Sequence, residues 1–241
     1  MPKEMDASGQ SIGFAVPDWV APDPPSRTPM VGRTCRLEVL DPERHAADLY
    51  DANAQDRANI IWVYLPYGPF ESFDEYQNWV DQVSRASDPL FHAVVDSSIG
   101  KAVGVASFLR ITPASGTIEV GHINYSPLLQ RTPAATEAMY LMMKRAFESG
   151  YRRYEWKCDA LNARSRAAAQ RLGLSYEGIF RQATIYKGRN RDTAWYAAID
   201  KEWPELEQAF TRWLEPSNFD SEGRQRVRLA ELTQPILKAR G

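Results

Sequence analysis

Cysteine is scarce in this chain. Cys35 and Cys158 are the only two among 241 residues, and they lie far apart with no partner pattern. That excludes a disulfide framework and leads us to expect a reducing, cytoplasmic setting. Long apolar runs are missing as well: none approaches the roughly 18 residues needed to span a bilayer, and Met1 to Gln10 lacks the apolar centre of a signal peptide. Neither sign of charge dominates. Lys and Arg number 29 against 31 Asp and Glu, a net charge of −2, so no global field draws the chain to nucleic acid or an anionic membrane. Histidine occurs only at His45, His92 and His122, at spacings unrelated to one another or to the cysteines. Zinc requires a tighter ligand set, and no metal is expected.

What is present is ordinary globular material, 44% hydrophobic and 25% charged, long enough to bury roughly 70% of the unfolded surface in one core. Three stretches differ in pattern. Residues 1–33 are rich in proline and read as an extended arm anchored by Phe14 and Trp19, available to cover a cleft. Residues 34–203 carry the periodic elements. Residues 204–241 read as a helical extension whose alternating charges make it a candidate dimer surface.

Within the middle stretch, Cys35 to Leu40 alternates as a strand, and Asp41-Pro42 opens a helix to about Gln55. An aromatic loop from Ile61 to Phe70 follows, then a helix from Phe73 to Arg85 with a Ser72/Glu75 capping box. Leu90–Val95, Ala102–Arg110 and Thr117–Asn124 come too close together for crossover helices and predict an antiparallel meander. The rhythm then turns to α/β: helix Pro133–Ser149, strand Arg152–Cys158, helix Asn162–Leu172 ended by Gly173, and strands Ser175–Tyr186 and Thr193–Asp200. The fold class is a mixed α/β single-layer sheet, largely antiparallel and flanked by helices.

Two blocks of residues carry a family resemblance. At the entry to the helix at Pro133, Gln130-Arg131-Thr132-Pro133-Ala134-Ala135 resembles the acyl-CoA signature of GNAT acetyltransferases, with Gln130 and Ala135 matching and Pro133 standing where a glycine is usual. Such a strand–loop–helix junction offers free N–H groups and the positive end of a helix dipole to an anion. Downstream, Asn162-Ala163-Arg164-Ser165 followed by Arg171-Leu172-Gly173-Leu174-Ser175-Tyr176-Glu177-Gly178 looks like the block of the RimJ/RimL-like branch, the ribosomal-protein N-terminal acetyltransferases. The resemblance covers about Gly32 to Trp203. It implies a sheet splayed around acetyl-CoA as co-substrate and acyl transfer to a primary amine, of a small molecule or a protein N-terminus, by direct attack.

Acyl transfer to an amine needs a base for the ammonium proton, polarisation of the thioester and a proton for the leaving thiolate. Glu119, on the strand feeding the CoA loop, is the candidate base, with an outward-facing, arginine-paired glutamate as the alternative. Ser165 is the candidate proton donor to the thiolate; many GNAT enzymes have a tyrosine seven residues after the asparagine, where this chain has Ala169. Asn162 is implied to hold the pantetheine arm. Strand alternation places His122 on the face opposite Glu119, as a buried histidine with its bonds satisfied, and Cys158 reads as an inert buried thiol. Trp62, Tyr64, Tyr67 and Tyr186 are candidates for the acceptor pocket through cation–π contact. Arg181, Lys187, Arg189 and Arg191 form a basic edge open to CoA phosphates, an acidic acceptor or solvent. An acyl-CoA sensor that has lost turnover is the alternative function.

Overall fold

The computed structural model describes residues 3–241; the first two residues of the proline-rich arm lie outside that range. Helices begin where the sequence supplies caps. The Asp41 carboxylate accepts from the Glu43 and Arg44 N–H groups and opens α1 (Pro42–Asn53), and Ser72 Oγ accepts from Glu75 N–H at the start of α2 (Phe73–Ser84). The arm contributes a two-stranded ribbon, β1 (Lys3–Met5) and β2 (Ser11–Gly13), which its sparse periodicity did not announce.

Eight strands make the main sheet. In spatial order they are β3 (Met30–Val31), β4 (Cys35–Val39), β5 (Leu90–Asp96), β6 (Ala102–Thr112), β7 (Thr117–Tyr125), β8 (Arg153–Asp159), β10 (Arg189–Ile199) and β9 (Ser175–Tyr186). Every neighbouring pair is antiparallel except β7 and β8, so the expected mixed, largely antiparallel sheet is the one that forms. β9 and β10 turn through Lys187 and Gly188, both with positive φ, in a tight hairpin. Arg189, Asn190 and Arg191, expected in a loop, therefore belong to the strand.

Alternation sorts the sheet residues between two cores. On one face Leu37, Val94, Phe108, Ile118, Tyr154 and Trp156 pack beneath α3 (Pro133–Glu148), α4 (Ala163–Arg171) and α5 (Trp203–Leu214). On the other, Phe91, Ala93, Val95 and Val105 pack beneath α1 and α2, with Trp62, Leu65 and Tyr76.

One buried carboxylate ties the first of these cores to the start of the sheet. Glu137 of α3 accepts from the Arg33, Thr34 and Cys35 N–H groups at 2.8, 2.6 and 3.0 Å and from Thr34 Oγ1 at 2.5 Å. Gly32 is required there, because a Cβ would lie 2.5–2.8 Å from the carboxylate atoms.

The arm and the tail depart from expectation. Trp19 donates through Nε1 to Ala114 O at 3.1 Å and sits under Arg152, at the β6–β7 turn. Tyr151 Oη donates to Asp23 O. These contacts hold the arm at the N-terminal end of β7, so it leaves the C-terminal end of that strand uncovered. The tail forms one short helix, α6 (Leu229–Thr233), in place of the long one expected. Its buried Leu229, Thr233 and Ile236 face its own chain, and Lys238 N–H donates to Ser175 Oγ.

Replacing Glu137 with Ala strands three N–H donors, that of Cys35 buried and those of Arg33 and Thr34 part-buried. We expect a stability loss of roughly 3 kcal/mol or more in chemical denaturation; a change below about 0.5 kcal/mol would contradict the clamp.

Candidate active site

The parallel pairing of β7 with β8 is short. It runs from Thr117 opposite Arg153 to Val120 opposite Trp156 and stops. Past that point Gly121 to Tyr125 stay with β6, while Lys157 to Asp159 stay with β10. The sheet parts in its middle, and the strand edges bordering the gap hold backbone donors and acceptors with no ladder partner across it.

The Gln130–Ala135 segment closes one side of that gap. Ser126 O accepts from the Leu129 and Gln130 N–H groups, and Gln130 Nε2 donates to Tyr125 O at 2.7 Å. Arg131 takes a left-handed φ of 64°. Thr132 caps α3 by accepting from Ala135 N–H at 3.2 Å, and Pro133 has no N–H to offer. The Ala134 N–H is thus left, with the Arg131 side chain, at the positive end of α3. Across the gap Asn162 caps α4, its Oδ1 accepting from Ser165 N–H at 3.1 Å. The Ser165 hydroxyl is not the cap: its Oγ accepts from Trp156 Nε1 at 3.0 Å. Ala169 is fully buried, which leaves no space for a tyrosine at that position. Burial pushes the neighbouring Cys158 thiol up, as suits an inert packing group.

Glu119 projects from the α1/α2 face of β7, opposite to its neighbours Ile118 and Val120. Buried to 3% exposure, it accepts from Arg110 Nη1 on both oxygens at 2.8 Å, and from Lys157 Nζ at 2.8 Å. The ion pairs continue through Lys157–Glu155 at 2.8 Å, Glu155–Arg153 at 2.6 Å and Arg153–Glu177 at 2.5 Å. Burial still raises the Glu119 carboxyl above its ordinary value, against the pull of Lys157 and Arg110. Of the expected alternative the arginine partner is present, in Arg110, but the carboxylate is buried.

His122 is where strand alternation misleads. Ser107 pairs with Gly121 and Val105 with Asn124, so two residues of β7 oppose Ala106 alone. His122 has a φ of 50° in this bulge. The extra residue returns its ring to the Glu119 face, stacked on Tyr67 at 5.6 Å and against Phe91 at 5.1 Å. Its Nδ1 is buried without a hydrogen-bond partner, so the satisfied core histidine expected from the sequence is replaced by a group with one unused nitrogen. Burial, aided by Arg110 and Arg191, lowers it to about 4 and keeps it neutral.

The aromatic candidates separate. Tyr67 lies between Trp79, at 4.5 Å, and His122, with its hydroxyl buried and unpartnered. Tyr64 Oη donates to Leu161 O at 3.3 Å, and Tyr186 Oη donates to Asp159 Oδ2 at 2.9 Å. Trp62 is a correction: its ring is buried in the second core against Phe70 and Tyr76, and only its carbonyl, which accepts from Lys187 Nζ at 2.8 Å, faces the site. Lys187–Trp62 and Tyr64–Leu161 are two bridges between the aromatic loop and the far side of the gap. Arg110, Lys157 and the His122 bulge were missed by sequence reasoning. Arg110 and Lys157 lie in different elements from Glu119, and a single chain's alternation pattern carries no mark of a bulge.

Comparison with known proteins agrees with this architecture. Residues 36–175 match the family model described as acetyltransferase (GNAT) domain. A GCN5-related N-acetyltransferase from Brucella melitensis is 44% identical, with a TM-score of 0.89, over 91% of this chain and 100% of that one. A probable acetyltransferase (GNAT family) from Chromobacterium violaceum ATCC 12472 is 40% identical, with a TM-score of 0.75, over 80% and 96%. The ribosomal L7/L12 alpha-N-protein acetyltransferase RimL, at 22% identity and a TM-score of 0.61 over 71% and 94%, shares the fold alone. No curated protein matches the chain.

Because His122 is held neutral in the fold and protonates near its usual 6.5 when unfolded, it contributes stability above that pH and loses it as the pH falls from 6.5 towards about 4. The loss is on the order of 3 kcal/mol. His122→Phe keeps the ring packing and should flatten that limb of a melting-temperature profile; an unchanged limb would contradict the buried neutral imidazole.

Proposed function

The chain belongs to the GNAT acetyltransferase family, and on that premise we propose that it transfers an acetyl group from acetyl-CoA to a primary amine at the gap between β7 and β8. The observation that carries this reading is the parting of those strands beside the free N-terminus of α3. Acetyl-CoA enters the gap, its pyrophosphate held by the Gln130, Arg131, Thr132, Pro133, Ala134 and Ala135 segment and its pantetheine arm by the Asn162 amide. The unpaired edge of β7 supplies an N–H to polarise the thioester oxygen.

The chemistry then balances in three moves. Glu119 takes a proton from the ammonium and passes it to solvent, the neutral amine attacks the thioester carbon, and the C–S bond breaks as Ser165 protonates the departing thiolate; the second proton, shed by the acylated nitrogen, returns to Ser165 through solvent. Arg110 is mostly exposed, so it can swing aside and free one Glu119 oxygen. Because burial raises this carboxyl, the rate rises with pH through a range above the ordinary carboxylate value. The two bridges over the aromatic loop narrow the mouth and favour a small amine over a protein N-terminus. The Asn162–Ser165 block is what supports a RimJ/RimL-like branch.

Thiol release from acetyl-CoA, assayed over a panel of small amines and N-terminal peptides, tests this. Glu119→Gln should lower kcat at least ~100-fold with acetyl-CoA affinity kept. His122 has the one other unused basic atom on this face. A loss in His122→Gln with none in Glu119→Gln would move the proton to His122. Binding of acetyl-CoA without thiol release on any amine would leave a sensor.

A further inference from the structure

Arg191 lies on β10 two residues before Thr193, which pairs with Asp159, and four before Trp195, which pairs with Lys157. Its pairing with β9 is irregular between Arg191 and Thr193, so its place is given by its neighbours rather than by alternation. It makes no ion pair among the described residues, and its Nε is buried without a hydrogen-bond partner. The guanidinium lies 5.7 Å from the Tyr186 ring centroid and is close enough to His122 to help hold that ring neutral. Lys187, in the same hairpin, has only the Trp62 carbonyl.

The nearby carboxylates are already committed. Asp159 accepts from Leu161 N–H and Tyr186 Oη, Asp192 from Gln182 N–H and Asn190 Nδ2, and Glu119 from Arg110 and Lys157. A partly buried guanidinium without an anion is unfavourable, so the site is built for an anion that arrives with a ligand. The CoA phosphates are held elsewhere: α3 begins after β7, and Arg191 lies on β10, beyond β8 in the sheet. The remaining ligand is the acceptor. A guanidinium's planar fork matches a carboxylate.

We propose that the acceptor is a primary amine that also carries a carboxylate, bound by Arg191 so that its amine faces the thioester. This rests on the acetyl-transfer reading and adds the class of its substrate.

The probes are α-, β- and γ-amino acids and their uncharged carboxamides, titrated by calorimetry into the CoA-loaded protein and assayed separately for thiol release. The acids should bind at least ~10-fold tighter than matched carboxamides. Arg191→Gln should bring that ratio towards one, and Arg191→Lys should keep part of it, with melting curves confirming both folds. Equal binding of acid and carboxamide, a ratio unmoved in Arg191→Gln, or no binding of any acid would overturn the proposal. Thiol release with uncharged amines alone would sink the carboxylate and spare acyl transfer. Preferential, Arg191-dependent acid binding without thiol release on any amine would spare the carboxylate site and sink acyl transfer.

Discussion

Two parallel strands that pair for four residues and then part are the constraint on which the rest of this molecule depends. A sheet normally satisfies its own backbone, and unpaired N–H and C=O groups in its middle are costly unless something else bonds them. Here the flanking strands stay paired on their outer sides, β7 with β6 and β8 with β10, so the gap is rigidly held open. The helices that follow β7 and β8 begin at its edge, which brings the positive ends of α3 and α4 to the same opening.

The electrostatics of the site follow from how the two faces are covered. One face is sealed by α3, α4 and α5 and is almost wholly apolar. The other is covered by α1 and α2 only as far as β7, and beyond it runs the chain of ion pairs from Arg110 to Glu177. Glu119 and Glu155 each have a cation on both sides, and Glu177 ends the chain on Arg153. Arg191 and Lys187 make no ion pair among the described residues, and His122 has a buried nitrogen without a partner.

Much of this was legible in the sequence because it is local. Asp41 and Ser72 are caps whose partners lie two or three residues away, and both start helices in the structure. The meander from Leu90 to Tyr125 followed from spacing alone. What escaped is non-local. Glu137 reads as an ordinary helix residue until the backbone of Arg33 to Cys35 arrives at it from more than a hundred residues away. The bulge at His122 inverts the face that alternation assigns, and nothing in Gly121-His122-Ile123 marks it. Trp62 looked like a pocket residue because aromatic loops line both cores and clefts. Its neighbours Phe70, Tyr76 and Leu65 decided for the core. The tail from Ser221 reads as helical, but it forms only the short α6, with Leu229, Thr233 and Ile236 buried against the domain.

Hydrogen–deuterium exchange with and without acetyl-CoA tests the central claim most directly, because it reads the backbone of the gap itself. Slower exchange on binding, concentrated in residues 121–125, 130–135 and 157–159, is the result this account predicts. Binding without protection at those segments, or no binding at all, would contradict it.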